Sequence, residues 1–500
     1  MQRIKNNIDS LLAAVLGAAL VIAFTQHAGV GISPDSIYYI SAADALKAGH
    51  GYYQFDDTPF IMFPLFFPSF IAAIEIIFST EITTIAPFVN ACLFGLTIFI
   101  SGCILEQTNH NKWLKWLVLL IIVTSPSLLE IYTMLWSETL FVLEVILFIW
   151  VSKHYFENYS TKNLVIFATI AAIASVTRLA GVSLIATGGL LILLTHDIAG
   201  RKKLNHFVVY GSIAMSLFVM NMTRNLYLTH TLTGVRQKGV TPLLVNIKYY
   251  GVVLGEWMPF SKVVSAFPTI MGIGFLVIVM PIFIYRLSRK IEHNSFEKIA
   301  ATFTWMYSFF MLLTATFSRY ETINNRLLAP FFIPCLFTIS FYSISSIRLL
   351  KRPLFKFIGI GLMACLGLVT LSQYIKTDQS TLTEYREGGI GGYTDDDWFL
   401  SSDLVNYLRK DQRVFNEGLA VYSNASHAVY FFTKQHLLIL PERNHLFDVK
   451  TWNEQPAQLL IWFKEEGNND LLTLEEIRTT KTLTIVKEFK DGYIYRCATK

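Results

Sequence analysis

The sequence predicts an all-α polytopic membrane domain followed by a small α/β domain that stands in water. Three observations carry this. Apolar runs close to the roughly 20 residues that cross a bilayer core as a helix recur from residue 10 to residue 375. Hydrophobic residues make up 53% of the 500-residue chain and charged ones only 15%, too little charge to coat a soluble protein of this length. Beyond residue 375 the composition turns abruptly to dense charge and short strand-like runs.

The candidate runs are 9–27, 59–79, 84–105, 114–131, 136–152, 163–177, 180–196, 207–226, 267–286, 298–317, 327–347 and 356–375. The first follows a short basic start and shows no small-residue cleavage site, so it is read as a retained span. Lysines and arginines then decide which runs cross. Arg3 and Lys5 precede the first run. From residue 84 onward a basic loop follows every second run: Lys112 and Lys115, Lys153 and Lys162, Arg201 to Lys203, Arg286 to Lys290, Arg348 to Lys356. These loops and the N-terminus share the cytoplasmic side only if 59–79 does not cross. That segment holds Pro59, Pro64, Pro68 and Glu75. Proline removes a helix hydrogen bond, and an acid at the bilayer centre costs about 2.5–3.5 kcal/mol on insertion scales. The segment is therefore read as interfacial or re-entrant. About eleven spans remain, with the N-terminus in the cytoplasm and the C-terminal part outside, as expected of a multi-pass protein of the cell (inner) membrane.

On this reading the membrane domain is 1–375, with 28–83 as its first external loop. The external α/β domain is 376–500. Strands are expected at Leu419–Tyr422, Leu437–Leu440, Leu459–Trp462 and Leu483–Val486, and a helix at Trp398–Arg409. Four of the five cysteines lie in apolar runs; Cys497 alone falls in the tail, which excludes a disulfide framework there. The net charge of +5 reflects cytoplasmic loops and gives no reason to expect nucleic acid as a partner.

The stretch from Pro34 to Tyr52 carries the most chemistry. Ile37, Ile40 and Leu46 recur with helical spacing, and Asp35 sits where that helix begins, directly after the first span. An acid there is favoured by the helix dipole and can also serve simply as a cap. Asp35, Tyr38–Tyr39, Gly49-His50-Gly51-Tyr52, and Pro64 with Pro68 are followed in order by Ser125-Pro126, Ser137-Glu138, Thr177-Arg178 with Gly181, and Asn325-Arg326-Leu327-Leu328-Ala329-Pro330 with Pro334. The tail adds Val421-Tyr422-Ser423-Asn424. Each motif is short; their order over nearly the whole chain is the stronger signal. In this order the sequence resembles the GT-C superfamily of polyprenyl-phosphate-sugar-dependent glycosyltransferases, specifically the protein O-mannosyltransferase, lipid A aminoarabinose transferase and lipopolysaccharide-core (Rgt-like) groups.

The resemblance implies transfer of a sugar from a polyprenyl-phosphate donor to a glycan, lipid or protein acceptor. It makes Asp35 the general base and Glu138 the second acid. Arg326 is the first candidate for the donor phosphate and Arg178 the second. Arg suits a phosphate through its rigid fork of donors, and a leaving lipid phosphate needs fixed cations. Tyr38, Tyr39 and Tyr52 are candidates to line the sugar site, although interfacial tyrosines are common in membrane proteins. The two arginines can equally snorkel to the interface.

The pattern departs from protein O-mannosyltransferases at Ser36, where those have an acid beside the base. No metal site and no other cofactor is expected. Asp56-Asp57 and Asp395-Asp396-Asp397 offer the oxygen donors of a hard cation but read as a turn and a helix start. Asn424-Ala425-Ser426 matches an N-glycosylation triplet, a pattern that arises often by chance. Nothing resembles a phosphate-binding glycine loop or a Ser-His-Asp set, so a lipid-linked donor is favoured over a nucleotide sugar. The alternative class is a transporter or lipid flippase, which calls for related halves and midplane ionisable groups; Glu144 is the one deep acid of that kind.

Overall fold

The structure is a computed structural model that describes residues 7–108, 111–234, 238–258, 267–279, 282, 295–318, 321–395 and 397–500. Arg3, Lys5, Arg286, Arg289, Lys290, Arg319 and Asp396 lie outside the described residues. The chain forms two compact units. The first comprises 1–27, 61–67 and 84–387; the second comprises 28–60, 68–83 and 388–500. The expected boundary at 375/376 falls inside one continuous helix, Pro353–Gly388, and the first external loop belongs largely to the unit that holds the tail.

The first unit is helical. Apart from 59–79 and 267–286, each expected run falls largely on one of its helices: Ile8–Phe24, Ile82–Thr108, Lys112–Val123 with Pro126–Tyr132, Glu138–Asn158, Thr161–Thr177, Val182–Leu194, Gly200–Thr229, Phe296–Phe317, Asn325–Leu349 and Pro353–Gly388. Run 267–286 begins with the helix Phe267–Gly274, and its residues 280, 281 and 283–286 lie outside the described residues. Among the described residues six of these are long and apolar enough to cross a membrane, and a seventh span results if the bent pair Lys112–Val123 and Pro126–Tyr132 is counted as one. The bend is 49° and its cause is local. Pro126 has no N–H to donate, and Ser125 turns its hydroxyl onto the Leu128 N–H as a cap. Segment 59–79 holds a helix of only 13 residues, Phe66–Phe78, about 20 Å long at 1.5 Å per residue and short of a bilayer core.

Among the described residues, the helix Leu243–Glu256 has no counterpart among the expected runs and lies between 207–226 and 267–286. It crosses Phe267–Gly274 at glycines: a Cβ on Gly272 would stand 2.5 Å from the Ile247 carbonyl oxygen and 3.2 Å from Gly251 Cα. Small residues let backbones approach this closely.

The second unit is built on a five-stranded mixed sheet of order β2-β1-β3-β5-β4. The strands are β1 (Ala420–Ser423), β2 (Leu438–Ile439), β3 (Ala457–Phe463), β4 (Lys481–Glu488) and β5 (Gly492–Thr499). β1 is parallel to β2 and β3, while β5 runs antiparallel to β3 and β4. Tyr422, Leu440, Trp452, Leu460, Ile477, Tyr495 and Cys497 pack one core. The expected helix Trp398–Arg409 is two, Asp397–Ser401 and Asp403–Lys410, because the Ser402 hydroxyl caps the second by accepting from Val405 N–H. The sheet's fifth strand, β5, was not foreseen.

The first loop docks within this unit through its backbone. Tyr393 N–H donates to the Ile32 carbonyl at 3.1 Å and Leu437 N–H to Phe55 at 3.3 Å. Gly392 makes the first contact attainable: its φ is +101°, and a Cβ there would lie 2.3 Å from the Ile32 oxygen.

Candidate active site

Three helix ends of the first unit converge on one carboxylate. Glu138 opens the helix Glu138–Asn158, and its side chain is fully buried. Arg326 sits in the first turn of Asn325–Leu349, which Asn324 caps by accepting from Leu327 N–H. Arg178 is the extended residue that ends Thr161–Thr177, followed by a tight return at Gly181, where a Cβ would stand 2.3 Å from the Ala174 oxygen. Arg326 Nε donates to Glu138 Oε1 at 2.6 Å, and Arg178 Nη1 lies 2.5 Å from Glu138 Oε2. Arg178 Nη1 also donates to Ser137 Oγ at 2.8 Å. The Arg326 guanidinium rests 4.1 Å from the centre of the Trp136 indole, a cation–π geometry. Residues 136, 137 and 138 thus each hold an arginine. The next acid, Glu321, is 4.0 Å from Arg326 Nη1 and about half exposed.

Within direct reach, then, two guanidinium groups share one carboxylate in a nearly dry setting; the arginine side chains are 13% and 14% exposed. Such a cluster has the chemistry to receive an anion. Its cations are prepositioned, and low local dielectric strengthens their field. Six residues further along the same helix, Glu144 is buried and accepts from the Thr177 hydroxyl at 2.7 Å.

Beside Arg326, Asn325 is locked by its neighbours. Its Oδ1 accepts from Ser127 Oγ and Trp257 Nε1, both at 3.0 Å, and its Nδ2 donates to Glu256 at 2.7 Å. Tyr374 donates in turn to the Trp257 carbonyl at 2.9 Å. Sequence reasoning assigned no role to Trp136, Ser127, Trp257 or Tyr374. The adjacency of Trp136 to Ser137-Glu138 was the one signal available.

In the second unit Asp35 occupies the first turn of the helix Pro34–Lys47 and is half-buried. Ser36, the residue found where protein O-mannosyltransferases have an acid, accepts from Ser33 N–H at 3.1 Å and so closes the helix start. The helix is fixed by rings and charges. Tyr38 packs against Phe55 and edge-on against His427, with centroids 5.5 and 5.0 Å away. Burial, with Asp56 and Asp35 nearby, holds the Tyr38 hydroxyl well above the usual tyrosine range. Burial among these rings pushes the His427 imidazole down to about 4. Tyr39 is 1% exposed beside Phe60, and the Tyr52 hydroxyl meets Ser69 at 2.7 Å. Tyr38 and Tyr39 are thus both largely buried among rings. At the helix C-terminus Lys47 bridges Asp44 at 3.0 Å and Glu75 at 2.6 Å. Burial opposes the Lys47 charge, but the two acids outweigh it and raise its pKa. Asp56 and Asp57 form a turn in which Asp56 accepts from Thr58. Asp395 accepts from the Ile390 and Gly391 N–H groups.

No family model and no curated protein matches this sequence. Solved structures do. ArnT from Cupriavidus metallidurans in the apo state superposes with a TM-score of 0.58 at 11% identity, over 98% of this chain and 97% of that one. The same protein bound to undecaprenyl phosphate gives 0.55 at 10% identity over the same shares. Arabinosyltransferase EmbB from Mycobacterium smegmatis matches at 0.39 and 11% identity over 75% of this chain and 40% of that one, too little to add to the fold assignment.

Proposed function

We propose that this chain, which has the fold of the GT-C glycosyltransferases, transfers a sugar from a polyprenyl phosphate to an acceptor at the outer face of the membrane. The observation that carries the reading is the pair of arginines held on Glu138. A prepositioned double guanidinium is what a departing lipid phosphate needs. The full-length likeness to ArnT, whose structure holds undecaprenyl phosphate, supports the choice of lipid.

In the proposed reaction an acceptor hydroxyl or amine attacks the anomeric carbon. Its new bond to carbon forms as the carbon–oxygen bond to phosphate breaks, with inversion. The electron pair leaves on the phosphate, where Arg326 and Arg178 stabilise it. The acceptor's proton passes to the Asp35 carboxylate, as general base catalysis requires. Glu138 acts differently from Asp35. Its carboxylate is already shared by two guanidinium groups and is a poor proton acceptor, so it is a positioning residue for the arginines. The proposal keeps eleven spans, a cytoplasmic N-terminus and an external tail.

The test is transfer by purified, reconstituted protein from undecaprenyl-phosphate-linked sugars. Asp35→Asn is expected to lower turnover by about 10²- to 10⁴-fold while thermal unfolding stays unchanged. Near-normal turnover in that variant removes Asp35 as the base.

A further inference from the structure

The first unit contains a cavity of about 160 Å³ that none of the steps above uses. Ser127, Glu130, Asn325, Asp378 and Tyr385 line it, and Phe24 forms part of its wall. All of them belong to that one unit. The volume is several times the roughly 30 Å³ that a water occupies in the liquid, the scale of one sugar ring.

Its polar lining is unusual in what is left over. Asn325 and Ser127 are committed to each other and to Trp257 and Glu256. Asp378 is only 8% exposed, and its Oδ2 has no hydrogen-bond partner among the described residues. A buried carboxylate oxygen without a donor costs free energy unless something supplies one. Glu130 brings a second carboxyl to the same space. Two rings, Phe24 and Tyr385, packed edge to face with centroids 5.8 Å apart, share the lining with these acids. Acceptor oxygens and apolar ring surface in one lining match the two chemical features of a pyranose or furanose: its hydroxyl donors and its C–H patches.

The cavity is also placed for the donor. Asn325, in its wall, directly precedes Arg326. A sugar esterified to a phosphate held by Arg326 has its ring within a bond or two of that phosphate. We propose that this cavity receives the sugar ring of the lipid-linked donor, with Asp378 accepting a hydrogen bond from a ring hydroxyl. The proposal rests on the donor assignment made above.

The experiment compares two ligands on detergent-solubilised full-length protein. One is bare undecaprenyl phosphate. The other is undecaprenyl phosphate carrying glucose, galactose, mannose or arabinose in turn. Thermal shift and donor KM are measured for wild type, Asp378→Asn and Asp378→Leu. Wild type should gain more Tm from at least one sugar-bearing lipid than from the bare lipid. Both variants should keep the bare-lipid gain, which shows that they are folded. Asp378→Leu should lose the sugar-dependent increment and raise donor KM by roughly 10- to 100-fold, the range for losing a hydrogen bond to a charged group, with Asp378→Asn in between. An increment kept in both variants overturns the role of Asp378. Bare lipid stabilising wild type as much as every sugar-bearing lipid overturns the subsite and leaves the donor lipid assignment standing. No stabilisation of wild type by either ligand overturns the donor assignment itself, and the subsite with it.

Discussion

Two buried ion-pair clusters of the first unit have opposite stoichiometry. Around Glu138 two cations share one acid. Around Lys115 two acids share one cation: its ammonium, fully buried, lies 2.7 Å from Asp9 and 2.8 Å from Glu106. Both clusters tie helix ends together. Lys115 joins the start of Ile8–Phe24, the end of Ile82–Thr108 and the start of Lys112–Val123. A lone lysine enclosed by two acids has its charge matched on both sides. Around Glu138 two guanidinium groups lie on one buried carboxylate, and the half-exposed Glu321 stands 4.0 Å from Arg326 Nη1. The first arrangement sets one cation between two acids; the second sets two cations on one buried acid. The substitutions below test whether this difference in stoichiometry separates a structural cluster from a functional one.

Breaking each cluster at its central element separates the two roles. Arg326→Ala should cut kcat/KM for the lipid-linked donor by about 10²- to 10³-fold, the scale of losing a preorganised donor to a developing oxyanion. Lys115→Met should leave donor kinetics untouched and lower thermal stability in detergent. Removing one partner of a buried pair costs about 3–5 kcal/mol, and the lower end applies because Glu106 is 26% exposed. Steady-state kinetics beside thermal unfolding of both variants decides the matter. If Lys115→Met shifts donor KM as strongly as Arg326→Ala does, the charge-balance distinction is wrong.

Much of this was legible in the sequence. The apolar runs fell on helices because a span must satisfy every backbone group internally, which leaves helix as the available answer for a run of that length. Glu138, Arg178 and Arg326 could be singled out because the short motifs that hold them, Ser137-Glu138, Thr177-Arg178 and Asn325-Arg326, stand in the order that carries the resemblance. Their convergence on one carboxylate could not, since residues 138, 178 and 326 meet only through helix packing. The union of the first loop with the tail was equally hidden. It depends on Tyr38 meeting His427 and on Tyr393 meeting Ile32, contacts that no local pattern encodes. Asp378 was invisible for a related reason. It follows the last apolar run among other polar residues, where a solvated side chain is the default, yet the fold buries it.

A smaller effect keeps pH from confusing the comparison. His427 has its pKa pushed from an ordinary 6.5 to about 4 by burial. Its neutral form is the one the fold accepts, so between these values the unfolded chain binds more protons than the folded one. Stability from this residue is complete above pH 6.5 and is lost as pH falls toward 4, up to about 3 kcal/mol in all. Unfolding followed at pH 7 and pH 4.5 should show this loss in wild type and in Lys115→Met alike, and His427→Phe should reduce it. A loss of the same size persisting in His427→Phe would assign the acid sensitivity elsewhere.

The smallest expected effect is the sharpest test of the closed cluster. Glu106→Gln removes one of the two acids around Lys115 but leaves the ammonium paired with Asp9, and the amide can still accept from Nζ through its oxygen. The remaining charge pair is the more buried of the two, since the Asp9 side chain is 10% exposed against 26% for Glu106. A partly exposed pair contributes about 0–1 kcal/mol, so the change in unfolding free energy should stay within about 1 kcal/mol and transfer kinetics should not move. The contrasting substitution is Glu138→Gln, where the single acid disappears and two guanidinium groups are left facing each other. That variant should lose several times more stability, and its donor KM should rise as Arg326 and Arg178 drift from their positions. Equal stability losses in Glu106→Gln and Glu138→Gln would show that the second acid at Lys115 is as indispensable as the acid the two arginines share, and the two clusters would then differ in sign alone.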